Sequence, residues 1–154
     1  MTIRPGGAVD LEAVIRLERA TAEAPHWAES EYAAMLVPAS GAVRRCFFVA
    51  EGELGVIGFA VGKVIGIGSE SSAELESVAV AASARRAGVG RALCAAVIDW
   101  CLAQGAQAIE LEVRAASSGA IALYSGLGFV VEGRRPRYYR EPMDDAVLMR
   151  LKLA

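Results

Sequence analysis

The chain has 154 residues, a formal net charge of -2 and 55% apolar residues, which is one domain's length and enough apolar side chain to bury about 70% of the unfolded surface. No disulfide or metal staple is needed, no metal site is expected, and the charge argues against a general nucleic-acid binder. The longest apolar runs, such as Val78–Ala82, fall far short of a membrane span. Met1–Asp10 lacks the basic-then-apolar layout of a signal peptide, which places the protein in the cytoplasm. Cys46, Cys94 and Cys101 are odd in number and lack metal-ligand spacing, so they read as reduced thiols.

Thr2–Arg4 is a short strand candidate, closed by Pro5-Gly6-Gly7. A helix is predicted over Asp10–Glu23, capped by Asp10, with Leu11, Val14, Ile15 and Leu17/Glu18 on one apolar stripe. A second helix starts at Ser30, turns Tyr32, Met35 and Leu36 inward and stops before Pro38. Arg44–Glu51 and Leu54–Gly66, rich in β-branched and aromatic residues around Glu51–Glu53, signal a hairpin. Ala73–Val80 alternates as the next strand. A helix of about four turns follows near Gly88–Gln104, with Leu93, Val97, Trp100 and Cys101 on one stripe and Gly105 as the stop. Ala108–Ala115 alternates as a strand, and a short helix begins at Ser117 or Ser118 and ends at Gly128. Phe129–Tyr139 and Asp145–Leu153 close the chain as an antiparallel pair. Strands first, then strand–helix–strand, then a hairpin make one α/β domain with a mixed sheet.

The long helix opens on Gly88 and Gly90, although glycine costs about 1 kcal/mol against alanine inside a helix. A helix N-terminus leaves four backbone N–H groups free and carries about half a positive charge. Glycine there lets a phosphate reach the backbone, and Arg85, Arg86 and Arg91 add charge. On the glycines alone, a phosphate site and a flexible loop with solvated arginines both stay open. A Walker loop is excluded, because Gly90-Arg91-Ala92 replaces its Gly-Lys-Ser/Thr end. A Rossmann fingerprint is disfavoured: Leu93 fills its third small position and Ala81–Ala87 intervene after the strand, although Glu110 falls about 20 residues on.

Glu76–Leu93, with Arg85, Gly88 and Gly90 in the pattern Arg/Gln-x-x-Gly-x-Gly/Ala, resembles the acetyl-CoA signature of the GCN5-related N-acetyltransferase (GNAT) superfamily. Leu111–Phe129, with Arg135–Met149 after it, resembles the ribosomal-protein alanine N-acetyltransferases, which acetylate a protein's N-terminal amine. The likeness covers about the last half of the chain, from Glu74 on. It implies a single α/β domain of the α+β type over residues 1–154, a mixed and mostly antiparallel central sheet, and about four flanking helices. It implies acetyl-CoA as co-substrate, with Val78, Ala79 and Val80 pairing their backbone with the pantetheine arm. Arg86, Ala87, Gly88, Val89 and Gly90, with Arg85 and Arg91, would hold the diphosphate. Ser117 stands where the family usually has an asparagine that contacts the coenzyme, so it either keeps that contact or only caps the following helix.

Acyl transfer to an amine needs a base for the amine and a proton for the departing thiolate. The resemblance gives these roles to Glu112 and Tyr124. Glu110 and Glu112 share one strand face, so the pattern alone does not separate them; the "LEVR" frame favours Glu112. Tyr124 also reads as a core or rim aromatic among Ile121, Leu123 and Leu127. Glu76, Tyr138 and Tyr139 are candidates for lining the acceptor cleft, and ordinary strand packing explains the tyrosines equally well. A covalent acetyl-cysteine route is disfavoured, since no histidine is motif-linked to Cys94 or Cys101. His26, the sole histidine, reads as a surface or interface residue. The expected partner is a protein N-terminus, with a ribosomal protein first among candidates, and with neither membrane nor direct nucleic-acid binding. Lysine or small-molecule acetylation and a silent acetyl-CoA sensor are the alternatives. The cluster Arg134, Arg135, Arg137 and Arg140 has no assigned role. Gly88→Trp is expected to abolish acetyl-CoA binding in a titration, and tight binding by that variant would remove the diphosphate reading.

Overall fold

The computed structural model describes residues 1–21, 26–36 and 42–153. In chain order the elements are β1 (Thr2–Pro5), α1 (Leu11–Ala20), α2 (Glu29–Ala34), β2 (Val43–Gly52), β3 (Gly55–Ile65) and β4 (Ser72–Val80). They continue as α3 (Val89–Ala103), β5 (Ala108–Arg114), α4 (Ser118–Gly126), β6 (Val130–Arg140) and β7 (Met143–Lys152). Every expected strand and helix is present, with ends shifted by a few residues. α2 ends at Ala34, ahead of Pro38, and α1 ends at Ala20 with Thr21 extended; residues 22 and 23 of the expected first helix lie outside the described residues.

Asp10 departs from its expected role. It precedes α1 with helical backbone and makes no side-chain cap bond. Its carboxylate instead takes both guanidinium nitrogens of Arg4, at 2.9 and 2.8 Å, and the Gly7 N–H at 2.8 Å. That arrangement ties β1 to the start of α1 and holds the Asp10 carboxyl below its ordinary range, chiefly through Arg4.

The seven strands form one sheet in the order β1-β2-β3-β4-β5-β7-β6, antiparallel throughout except at β4–β5. That parallel pair holds register at only two positions, Ala73↔Ile109 and Glu74↔Glu110. Opposite β3, Val61 pairs with Ser77 and Gly62 with Leu75, leaving Glu76 as the extra residue of a bulge. A bulge bends and twists its strand, and it reverses the alternation of faces. Ala73 and Leu75 belong to the α3-side core, whereas Ala79, beyond the bulge, belongs to the core under α1 and α2.

The α3-side core centres on Leu93, Val97, Ile109 and Met149. The opposite core packs Val14 and Tyr32 on Phe47, Phe59 and Val61. Glu18 is the buried member of the Leu17/Glu18 pair, at 0% exposure. Its carboxylate accepts from the Tyr32 hydroxyl at 2.5 Å, the Trp27 N–H at 2.8 Å and Arg19 at 2.9 Å, so the buried charge is fully partnered. Among the described residues, no helix is long and apolar enough to cross a membrane.

α3 lies close on β3 because Gly62 has no side chain. A Cβ there would stand 2.6 Å from Val97 Cγ1 and 2.9 Å from Cys46 Sγ. Gly62→Ala is therefore expected to lower stability by about 1–3 kcal/mol through overpacking, read as an earlier urea midpoint. An unmoved midpoint would mean that helix and strand yield at no cost.

Candidate active site

Past Glu74 and Glu110 the parallel strands part, and a cavity of about 680 Å³ occupies the opening. One wall is the free edge of β4, from Leu75 to Val80, and the other is β5 from Leu111 to Arg114. The unpaired edge of β4 is a ready template for an added extended chain.

At one end the cavity meets the loop before α3. Arg86 (φ 64°) and Gly88 (φ 79°) both adopt left-handed backbone, an arrangement that turns successive N–H groups into an anion-binding nest. The first helical bond runs from Ala92 N–H to Gly88 O at 3.0 Å, so the N–H groups of Val89, Gly90 and Arg91 come before it. The two glycines serve different ends. A Cβ at Gly88 would meet nothing within 4 Å, so its need is conformational and its surroundings are open. A Cβ at Gly90 would lie 3.2 Å from Leu123 Cδ2 and 3.7 Å from Val80 Cγ2, so its need is close packing of α3 against α4 and β4. Arg85, Arg86 and Arg91 line the cavity here, whereas Ala87 does not. Ser117 occupies the N-cap position of α4 without a side-chain cap bond and also lines the cavity.

Glu112 and Tyr124 come to this same cavity from β5 and α4. Glu112 has 29% of its side chain exposed and receives Arg135 Nε at 3.3 Å. Glu110 faces instead a smaller cavity of about 340 Å³, shared with Glu74, Lys63 and Glu132 and bordered also by Glu112. Only one of the two strand glutamates therefore borders the main cleft. Burial pushes the Glu74 carboxyl up, with Lys63 opposing the rise.

Tyr124 packs edge-on against Phe129, with ring centroids 5.9 Å apart. Burial pushes its hydroxyl well above the usual tyrosine range, and Cys94 and Tyr139 add to the rise. The phenol is therefore protonated across neutral pH. Tyr139 lines the cavity beneath the Arg114 guanidinium, 4.3 Å from the ring centroid. Tyr138 is 50% exposed and does not line the cavity; Arg135 sits 5.6 Å from its ring centroid. Glu76, on the bulge, holds Arg45 at 2.9 Å. The arginine cluster is divided: Arg135 serves Glu112, while Arg134 pairs with Asp145 at 3.1 Å.

Thr21, Ser77 and Arg114 also border the cleft. Thr21 lies outside every quoted motif and arrives from the far end of α1, whereas Ser77 and Arg114 lie within the quoted blocks without a role assigned from the sequence. His26 reaches the Thr21 carbonyl at 2.8 Å. Among the described residues, no cluster of His, Cys, Asp and Glu side chains is placed to hold a metal.

The fold and cleft define a class: one mixed sheet split between two parallel strands, with an open cleft in the gap and a glycine-opened helix at its end. The chain belongs to the acetyltransferase (GNAT) family, whose model matches residues 11–129. The acetyl donor of that family is acetyl-CoA. A curated relative, the [ribosomal protein bS18]-alanine N-acetyltransferase of Escherichia coli K12, is 39% identical over 84 residues, covering 53% of this chain and 57% of that protein. An uncharacterised protein of Mycobacterium leprae is 46% identical over 77 residues, covering 50% of this chain but 21% of its own length. The chain thus spans between about a fifth and somewhat over half of the length of these curated relatives. The crystal structure of the E. coli ribosomal-protein-S18-alanine N-acetyltransferase superposes with a TM-score of 0.79 at 30% identity, covering 99% of this chain and 94% of that one.

Burial pushes Cys46 and Cys94 up to about 12 and Cys101 to about 11. Such thiols are protonated and inert at neutral pH. A disulfide-exchange reagent is expected to find no fast-reacting thiol in the native protein and all three cysteines after unfolding. A fast native thiol would reopen the acetyl-cysteine route.

Proposed function

We propose that the protein moves the acetyl group of acetyl-CoA directly to a protein N-terminal α-amine, with the N-terminal alanine of a ribosomal protein as its substrate. The observation that carries this reading is that Glu112 and Tyr124 border one cleft between parted strands, whose other end is an anion nest.

In this reading the coenzyme lies along β4, its arm paired with the backbone of Val78, Ala79 and Val80. The diphosphate rests on the N–H groups of Gly88, Val89 and Gly90, with Arg85, Arg86 and Arg91 around it. The uncommitted hydroxyl of Ser117 is free for a coenzyme contact. The acceptor enters from the side of Glu76 and Tyr139. Its amine nitrogen attacks the thioester carbonyl carbon, the C–N bond forms and the C–S bond breaks. The amine proton passes to Glu112, directly or through one water, and Tyr124 gives its proton to the departing thiolate. Burial keeps the phenol protonated and makes it a weaker acid, so its role rests on its place in the cleft beside the departing sulfur and not on its acidity.

An α-amine, with a reference pKa of about 8, is roughly a tenth neutral at pH 7, against about one in a few thousand for a lysine at about 10.4. A single carboxylate base therefore has far less to do with an N-terminus. The similar E. coli sequence and the similar E. coli crystal structure, both alanine N-acetyltransferases of ribosomal protein S18, support the same acceptor class.

Thiol release from acetyl-CoA is expected with peptides beginning Ala or Ser, and not with N-blocked peptides carrying one lysine. Release from the lysine peptides would move the assignment to a lysine acetyltransferase. Glu112→Gln is expected to lower kcat by about a hundredfold or more while acetyl-CoA affinity stays nearly unchanged. Equal loss of both would remove Glu112 as the base.

A further inference from the structure

Ser77 is 6% exposed, and its Oγ is buried without a hydrogen-bond partner among the described residues. Buried hydroxyls are nearly always paired, and an orphan calls for a reason. Ser77 is itself a residue of the cleft wall. It sits on β4 immediately after the bulged Glu76, opposite Val61, a residue of the core beneath α1 and α2. That is the acceptor's side of the sheet, the side on which Thr21 also borders the cavity.

We propose that the Ser77 hydroxyl accepts an N–H of the incoming amine and so selects primary α-amines over secondary ones. The inference rests on the reading that the acceptor is an N-terminal α-amine attacking beside Glu112. A neutral primary amine attacks with its lone pair and carries two N–H donors. Glu112 takes the proton that is lost, from β5. The second N–H needs an acceptor, and Ser77 offers one from β4, across the parted strands. A hydroxyl supplies two lone pairs for this purpose. A secondary amine, such as an N-methylated or prolyl terminus, has a single N–H and leaves Ser77 unpaired, which is how a polar site rejects an analogue that lacks one donor.

The test is a cycle of two enzymes and two acceptors: the parent and Ser77→Ala, each with an alanyl peptide and its N-methylalanyl counterpart. Removing an orphan hydroxyl leaves the protein's Tm unchanged or raised, and acetyl-CoA binding unchanged. The variant's kcat/KM is expected to fall about tenfold with the alanyl peptide and to match the parent's with the N-methylalanyl peptide. An equal loss with both peptides would make Ser77 a structural residue, and no loss with either would leave it idle; both overturn the proposal. A parent enzyme that binds acetyl-CoA yet acetylates neither peptide would overturn the N-terminal reading itself, and the proposal with it.

Discussion

The site depends on a pairing that stops. β4 and β5 run parallel and share register only at Ala73↔Ile109 and Glu74↔Glu110, after which the Glu76 bulge bends β4 away. A sheet normally closes such gaps, because unpaired backbone N–H and C=O groups are costly to leave without partners. Here both strands keep their outer neighbours, β3 and β7, over most of their length. The sheet therefore survives the split, and the two inner edges remain for a substrate.

The bulge has a second consequence. It moves the sequence from one alternation to the other, so that residues before it face α3 and residues of the same parity beyond it face α1 and α2. This shift turns Ser77 to the side of Val61, under α1 and α2. It also separates the two ends chemically. Arginines and left-handed backbone gather at the start of α3. Carboxylates gather on β4 and β5. Glu74, Glu110 and Glu112 border the smaller cavity, Glu112 alone of the three also borders the main cleft, and Lys63 and Arg135 temper their repulsion.

Much of this was legible from residues alone. Alternation marked the strands, the stripe of Leu93, Val97 and Cys101 marked the buried face of α3, and the block from Glu76 to Leu93 carried the coenzyme signature. The residues alone left the outcome open, or in the case of Asp10 pointed elsewhere, where a side chain has two partners within reach. Asp10 reads as a cap and serves Arg4 and Gly7, because β1 lies within reach of it. Glu18 shares a stripe with Leu17, and only the Tyr32 hydroxyl and the Trp27 N–H explain why the carboxylate is the buried one. Tyr138 and Tyr139 are adjacent, and irregular pairing within β6 decides which one borders the cleft.

Local periodicity and turn chemistry act over a few residues, so the sequence by itself determined the elements, the glycine-opened helix and the family. Which of Glu110 and Glu112 borders the cleft, why Gly88 and Gly90 are needed for different reasons, and what Ser77 faces were decided only in the tertiary structure. Each of these turns on how β4 and β5 diverge and on what α3 and α4 bring against them. Such contacts join residues far apart in the chain, and no spacing within one segment records them.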